Sequence, residues 1–331
     1  MNLELAKKHY KVIIWGWPMK PGMSNTISYV WNSMYRAFKS MGFDTYWFEN
    51  KPPDNDFDFS NCIFWAEGYD DSFIPLNKSS IYYVHCAYDP QKYVGNVGRF
   101  VDVRYNAISV NHPNYIYKLD KKNTPQINRG CYYQQSTNRV VDFENGKCKY
   151  RIDDFDKLYM GWATNLLPHE FKEEDVYFPR ENIVYFLGTL SSDGAHSNVE
   201  EINQFALECE KNGVLFKFND FYSNPLNEES YIEYSKRSLM GFDVRSKNMI
   251  EWGHVPCRVY KNMSYGHLGM TNSHEVYNEL EGNLVYNSNI TQLYYDVENK
   301  LHDYGFIINA QNYIKDYHTY VNRARAMLEI L

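Results

Sequence analysis

The stretch Asn182-Ile-Val-Tyr-Phe-Leu-Gly-Thr189 decides the fold class of this chain, because it is a short apolar run that stops at a glycine. Ile183 to Leu187 has the length and composition of a buried strand. The residues that follow have apolar side chains at helical spacing on one face: Val199, Ile202, Phe205, Ala206 and Cys209. Val214 to Phe218 is another apolar run. Strand, helix and strand in this order predict two parallel strands joined by a right-handed crossover.

The first half of the chain repeats this pattern. Lys11 to Trp15 predicts a strand, a helix follows a loop and an N-capping Ser24, and Thr45 to Phe48 predicts the next strand. Further strands are predicted at 62–66 and 81–86, and weaker ones at 101–103 and 108–110. The region 111–157 has no clear period, so we expect loops and a hairpin there.

The length of 331 residues is typical of two domains. We predict an α/β protein with two Rossmann-like, doubly wound domains at 1–165 and 166–310, connected by a linker near Trp162 to Pro179. The segment 311–331 has one apolar stripe, which predicts a single C-terminal helix that crosses back to brace the hinge.

Composition excludes several classes of protein. The net charge of −7 disfavours a large nucleic-acid footprint, which needs clustered Lys and Arg. No segment approaches the roughly 20 apolar residues that cross a bilayer, and Met1 to Tyr10 lacks the apolar core of a signal peptide. The six cysteines show neither a C-x-x-C pair nor metal-ligand spacing. We therefore expect a reduced, cytoplasmic protein with no metal and no transmembrane segment.

The best indication of function is the stretch from Gly253 to Asn272, which reads G-H-V-P-C-R-V-Y-K-N-M-S-Y-G-H-L-G-M-T-N. Pro256 suits the first turn of a helix, which places Arg258 beside unpaired backbone N–H groups. A guanidinium at a helix N-terminus can bind a phosphate or diphosphate. The alternative is an ordinary helix that Pro256 opens and Gly266 closes.

The string from Pro256 to Gly266 resembles the P-x-R-x-[FY]-E-x-x-A-x-G pattern of GT-B glycosyltransferases of the broad group-1/group-4 type, including the CgeB-like branch. Asn182 to Thr189 is similar to the strand that opens the nucleotide-sugar domain of that group. The resemblance implies two domains facing a cleft, an acceptor-side domain followed by a donor domain. It also implies transfer of a sugar from a nucleotide-diphosphate sugar to a hydroxyl acceptor such as a growing glycan, without a cofactor or metal.

The resemblance assigns the donor diphosphate chiefly to Arg258, with Arg245 as a second cation. One departure stands out, because Lys261 occupies the position where the family has the glutamate that holds the donor ribose. A cation cannot accept a hydroxyl proton, so Lys261 either reaches the diphosphate or leaves the ribose to another residue. The further expected donor-side residues are Gly188, Thr189, Ser191, Pro256, Gly266, Thr271 and Asn272.

Acceptor chemistry is expected from the first domain, where ligands lie beyond the carboxyl ends of the strands. This places the loop with Lys20, Gly22 and Ser24 at the site. An inverting enzyme would need a general base there, and the candidates are His85, Asp89 and Glu67. A retaining enzyme would need no conventional base, and the sequence leaves both outcomes open.

Three other functions fit parts of the sequence less well. A DNA-modifying glucosyltransferase of the same fold is disfavoured by the negative net charge. A non-catalytic nucleotide- or sugar-binding module remains open because of Lys261. A dehydrogenase is disfavoured because no G-x-G-x-x-G follows the strand at Lys11 to Trp15.

Overall fold

A computed structural model describes residues 3–17, 26–53, 56–104, 108–112, 115–118, 124–136, 155–188, 190, 198–220, 224, 226–251 and 253–331. These residues form two compact units. Unit 1 takes in the described residues of 3–17, 27–161 and 320–331, and unit 2 takes in those of 162–319.

The structure contains the following helices and strands, in chain order. The first part contains α1 (Leu3–His9), β1 (Lys11–Trp15), α2 (Thr26–Ser40), β2 (Thr45–Phe48), β3 (Cys62–Glu67), β4 (Ile81–His85), β5 (Arg99–Arg104), β6 (Ile108–His112), β7 (Tyr115–Lys118), β8 (Gln126–Asn128), β9 (Cys131–Gln134) and β10 (Asp156–Met160). The second part contains β11 (Ile183–Gly188), α3 (Val199–Lys211), β12 (Leu215–Asp220), α4 (Glu228–Arg237), α5 (Lys247–Glu251), α6 (Cys257–Ser264), β13 (Met270–Thr271), α7 (His274–Glu279), β14 (Val285–Tyr286), α8 (Ile290–Glu298), α9 (Tyr304–Tyr317) and α10 (Tyr320–Glu329).

Eight described strands of unit 1 form one sheet in the order β2-β1-β3-β4-β5-β10-β9-β8. The pairs from β2 to β10 are parallel, and β9 and β8 continue the sheet antiparallel. Every residue of β3 and β4 is buried, which explains why both strands read as continuous apolar runs. The predicted α/β class with strand–helix–strand units is confirmed for this part of the chain.

The region 111–157 contains more strand than its sequence predicts. The predicted hairpin is present as the antiparallel pair β6–β7. The strands β8, β9 and β10 lie at the far edge of the large sheet, and β10 pairs in parallel with β5. Their short lengths, 3 to 5 residues, leave too few positions for a period to emerge.

The prediction of one helix over 311–331 is wrong, because the chain forms two helices there. α9 ends at Tyr317, the His318 carbonyl accepts a hydrogen bond of 3.0 Å from the Thr164 amide, and Thr319 forms a parallel β-bridge with Thr164. The apolar stripe passes this break unchanged, so periodicity alone could not reveal it. The break is caused by backbone bonds to a residue that is distant in sequence.

α10 belongs to unit 1 and is anchored there by buried polar contacts. The Arg323 guanidinium is fully buried and donates to the carbonyls of Gly161 at 2.8 Å and Arg129 at 2.9 Å. Tyr83 on β4 donates its hydroxyl to the Met327 carbonyl at 2.5 Å. The last turns of the chain therefore complete the fold of unit 1.

Unit 2 contains two parallel two-stranded sheets, β11–β12 and β13–β14, which segment 238–245 links. β11 pairs with β12, and on its other side the Ile183 carbonyl accepts a hydrogen bond of 2.7 Å from Leu239, in the extended segment 238–245. Gly241 of this segment forms a parallel bridge with Gly269, and β13 then pairs with β14. The order is therefore β12, β11, segment 238–245, β13 and β14.

The core of unit 2 is aromatic where β11, α3 and segment 238–245 meet. Phe242 is at its centre, with ring centroids 5.5 Å from Phe186 and 4.8 Å from Phe205. All three side chains are almost fully buried. Among the described residues, no helix combines the length and the apolar composition needed to cross a membrane.

Candidate functional site

The candidate site of unit 2 lies where its strand order reverses. β11 is the first strand of the unit, with β12 on one side and segment 238–245, which donates a hydrogen bond to Ile183, on the other. In an open α/β sheet, such a reversal leaves a crevice at the carboxyl ends of the strands, where ligands bind. Gly188 ends β11, and Asp243 to Arg245 ends the neighbouring segment, so these residues border that crevice.

Arg258, in the first turn of α6, extends its side chain to this crevice. Its guanidinium carbon lies 4.6 Å from the centroid of the Phe186 ring, and Nη1 is 3.7 Å from Asp243 Oδ1. The buried Nε atom has no hydrogen-bond partner among the described residues. Leaving a buried guanidinium N–H without a hydrogen-bond partner lowers stability. This group is therefore suited to bind an anion.

Gly188 and Arg258 lie in close contact. A Cβ atom on Gly188 would lie 2.1 Å from Arg258 Nη2 and 3.0 Å from its Cζ, distances shorter than any van der Waals contact. The backbone at the end of β11 is therefore in contact with the guanidinium, and a side chain at this position would displace it. The sequence resemblance grouped these two residues, and the structure brings them together.

Asp243 is the central charge of the site. It is fully buried, and its Oδ1 accepts a hydrogen bond of 2.8 Å from Arg245 Nη2 while also facing Arg258. Burial lowers the pKa of Arg245, and the charge of Asp243 opposes that effect. Two guanidinium groups share one carboxylate, so the cluster carries one excess positive charge at pH 7.

Asn272 fixes the backbone of Arg245. Its Oδ1 accepts a hydrogen bond of 2.7 Å from the Arg245 amide, and its Nδ2 donates to the Arg245 carbonyl at 2.8 Å. Both ends of the Asn272 amide are occupied in this way. The structure thus shows Asn272 in a positioning contact.

Lys261 lies one turn beyond Arg258 on α6 and is 5% exposed. Its Nζ is 3.8 Å from the centroid of the Tyr231 ring on α4. Burial lowers its pKa to about 8, which the nearby Arg258 reinforces and the acidic groups of Cys257 and Glu228 oppose. The side chain is therefore a buried cation packed on an aromatic ring. A small cavity adjoins it, lined by Tyr185, Leu187, Tyr231, Ser235, Ser238, Met240, Phe242, Arg258 and Asn262.

Three other residues of the quoted stretch have structural contacts. Pro256 precedes the first helical residue, with φ −80° and ψ 154°. Gly266 has φ +79°, and a Cβ there would lie 2.6 Å from the Asp175 backbone. Thr271 is fully buried, and its hydroxyl accepts a hydrogen bond of 3.2 Å from the Ser273 amide. The expected donor-side residues Thr189 and Ser191, and the acceptor-loop residues Lys20, Gly22 and Ser24, lie outside the described residues.

In unit 1 the structure pairs two of the three base candidates. Glu67 ends β3 and His85 ends β4, in register, with Oε2 and Nδ1 2.7 Å apart and both side chains buried. Burial alone would lower the pKa of His85, but the charges of Cys86 and Glu67 raise it to about 10. At pH 7 the ring is an imidazolium, which has no free lone pair for an incoming proton. Asp89 is exposed and its side chain caps no helix.

Sequence reasoning missed Asp243 and Tyr231. A signal for Asp243 was present in Phe242-Asp-Val-Arg245, because residues two apart in an extended segment face the same side. Nothing in the sequence indicates that Tyr231 contacts Lys261, since they are 30 residues apart on different helices.

No known protein-family profile matches this chain, and no curated protein is significantly similar to it in sequence. Within the described part of the chain, no group of three or more His, Cys, Asp or Glu side chains could hold a metal ion.

Proposed function

We propose that this protein is a glycosyltransferase of the GT-B type that moves a sugar from a nucleotide-diphosphate donor to a hydroxyl acceptor, with the diphosphate held in unit 2. The observation that carries the proposal is Arg258. Its guanidinium lies at the strand-order reversal, against a glycine, with a buried Nε that has no partner among the described residues.

The chemistry of sugar transfer matches the charge of this cluster. As the bond between sugar and diphosphate breaks, negative charge grows on the leaving diphosphate, and preorganised donors that face it lower the barrier. Arg258 would supply the direct contact, and the N-terminus of α6 would add partial positive charge. The bidentate contact between Arg245 and Asp243 keeps the second guanidinium fixed, so it contributes mainly to the local field.

Lys261 stands where the family has the glutamate that binds the donor ribose. Its Nζ packs on Tyr231 inside the unit, so the contact supports the proposal that Lys261 shapes the pocket wall and does not hold the ribose. The ribose hydroxyls would then bind a different acceptor from the one typical of the family. We infer a donor pocket with an altered ribose contact.

Acceptor activation is assigned to unit 1. Of the three base candidates, Asp89 has an exposed carboxylate, whereas Glu67 and His85 are bonded to each other in the interior. If the reaction inverts the anomeric centre, Asp89 would take the proton of the acceptor hydroxyl. Asp89→Asn would then reduce kcat by about 100-fold or more with little change in donor affinity.

A non-catalytic nucleotide-binding module is the second candidate, and one observation favours it. Because Lys261 replaces the ribose-binding glutamate, the pocket could retain the diphosphate site without a productive donor geometry. The two candidates differ in turnover and not in binding.

The first experiment is a thermal-shift screen with inorganic pyrophosphate and with UDP, GDP, dTDP and CMP. Pyrophosphate reports the diphosphate site without regard to the base. At 100 times its Kd, a ligand adds about 2.7 kcal/mol to the stability of the form that binds it. No shift with any of these compounds would remove the donor site and the proposal with it. A positive result leads to the corresponding activated sugars, where release of free nucleotide indicates a transferase and its absence a binding module.

A further inference from the structure

A carboxylate, an imidazole and a thiol lie in a row in space, at the carboxyl edge of the sheet in unit 1. Glu67 Oε2 is 2.7 Å from His85 Nδ1, and His85 Nε2 is 3.6 Å from Cys86 Sγ. The two ring nitrogens of His85 therefore face an acid on one side and a thiol on the other. In thiol nucleophiles, an acid of this kind orients the imidazole and the imidazole activates the sulfur.

The backbone of Cys86 creates this arrangement. Its φ of 50° lies in the left-handed region, which is unfavourable for a residue with a Cβ. Neighbouring residues of a strand normally point to opposite faces. The left-handed turn at Cys86 ends that alternation and places the sulfur beside the ring of the preceding residue.

Contacts from both neighbouring strands hold the turn. The Cys86 amide donates to the Val103 carbonyl at 2.9 Å, and the Gly68 amide donates to the His85 carbonyl at 2.9 Å. A Cβ on Gly68 would lie 2.3 Å from the Cys86 carbonyl oxygen, so this approach is possible only for glycine. The strained conformation is thus fixed by the surrounding sheet.

Several titratable groups surround this site. Asp102 is paired with Arg104 at 2.8 Å and accepts the Ala87 amide, so that pair is locally neutral. Tyr69 and Tyr88 lie nearby with their ring centroids 5.8 Å apart, and the pKa of Tyr69 is raised, chiefly by burial. Glu67 Oε1 is buried without a partner among the described residues. His85 Nε2 is the ring nitrogen that faces the sulfur, and Glu67 lies on the opposite side of the ring.

Three of the other described cysteines are more buried than Cys86, whereas Cys257 is partly exposed like Cys86. Cys62, Cys131 and Cys209 are fully buried, and burial raises the pKa of Cys62 to about 11 and of Cys209 to about 12. Cys86 is partly exposed. A thiol beside an imidazolium and open to solvent is the kind that reacts.

We propose that Cys86, His85 and Glu67 form a reactive-thiol site that exchanges with small disulfides. The Cys86 thiolate attacks one sulfur of R–S–S–R, a Cys86–S–S–R bond forms, the original S–S bond breaks, and R–S⁻ leaves and takes a proton from water. The modified sulfur no longer carries a negative charge beside His85. This site is independent of the proposed transferase function.

The test measures the rate of iodoacetamide alkylation at Cys86 from pH 5.5 to 9, by peptide mass spectrometry of the folded protein, with N-acetylcysteine as the reference thiol. An ordinary thiol with a pKa near 8.5 gains about 100-fold in thiolate between pH 6 and 8. We expect the Cys86 rate to change less than about 5-fold over that interval and to exceed the reference by about 10-fold or more at pH 6. The same peptide in urea-unfolded protein should follow the reference.

A second measurement tests the exchange itself and the role of the imidazole. Glutathione disulfide should add to Cys86 at pH 6.5, and His85→Gln should return the alkylation profile to that of an ordinary thiol. A folded Cys86 that follows N-acetylcysteine across the range, or that forms no mixed disulfide, would overturn the proposal. An unchanged alkylation profile in a folded His85→Gln protein would also overturn the proposal. If that variant does not fold, the test is the difference in alkylation profile between folded and urea-unfolded wild type, and the absence of a difference would overturn the proposal.

Discussion

Gly188→Ala should separate donor binding from folding, because the new methyl group collides with the tip of a flexible side chain. The added Cβ would lie 2.1 Å from Arg258 Nη2, so the guanidinium must move by more than 1 Å to reach ordinary contact distance, roughly 3.4 Å or more. Its contact with Phe186, worth about 1 kcal/mol, would weaken. The alanine also reduces the conformational entropy of the unfolded chain, which stabilises the folded state by about 0.4–1 kcal/mol. The free energy of unfolding should therefore change by less than ~1 kcal/mol overall.

Binding should respond far more strongly than stability. If Arg258 pairs with the diphosphate, its displacement removes about 1.5–3 kcal/mol of binding free energy, which corresponds to a roughly 10- to 150-fold higher Kd. Isothermal titration calorimetry with pyrophosphate and with the preferred nucleotide would measure this change, and urea unfolding would measure stability.

Gly305→Ala is the matched control, since a Cβ there meets only one atom, at 3.9 Å. It should bind the same ligands with unchanged affinity. If Gly188→Ala kept wild-type affinity, the assignment of Arg258 to the diphosphate would be refuted. If the variant unfolded, the expected small change in stability would be wrong.

Further predictions concern the buried charges. Lys261→Met should stabilise the protein by about 3 kcal/mol at pH 7. The native state loses its Lys261 proton above about pH 8, while the unfolded state holds it to about pH 10.5. The free energy of unfolding of the wild type should therefore rise toward that of the variant between these pH values, and urea unfolding at pH 7.5, 8.5 and 9.5 would measure it. A constant difference in stability would contradict the burial of the cation. Asp243→Asn leaves two guanidinium groups without their carboxylate and should cost about 3–5 kcal/mol in the same assay, and a loss below 1 kcal/mol would argue against the shared pair. His85 should be protonated and His267 neutral at pH 7.5, since the acidic neighbours raise the pKa of His85 and burial lowers that of His267; long-range proton–nitrogen NMR of ring-labelled protein distinguishes the two forms, and a neutral His85 would remove the imidazolium.

Long, strongly patterned elements of the fold could be predicted from the sequence. The buried strands β1, β3 and β4 appear as apolar runs because both of their faces are covered, and β11 appears as one although Ile183 and Tyr185 are only partly buried. The crossover helix α3 appears as a stripe, because only one of its faces is buried. These signals are local, and they suffice for the α/β class.

Features that depend on distant contacts could not be predicted. The break between α9 and α10 rests on hydrogen bonds to Thr164, which no period in 311–331 reflects. The short edge strands β8 and β9 are determined by the sheet to which they add. Tertiary context decides such elements.

The candidate site was predictable in part. The glycine-ended strand and the Pro-x-Arg helix are local patterns, and the structure places Gly188 and Arg258 in contact. The shared carboxylate of Asp243 and the burial of Lys261 against Tyr231 arise only when segment 238–245 and α4 are packed beside β11. Charge pairing across elements separated by many residues leaves no periodic trace in one sequence.

The most direct test of the central claim is a crystal structure of the protein with its preferred nucleoside diphosphate. We expect the diphosphate to lie beyond the carboxyl end of β11, with a phosphate oxygen within hydrogen-bond distance of the Arg258 guanidinium. A nucleotide bound elsewhere, with Arg258 still turned to Asp243 and no phosphate contact, would contradict it.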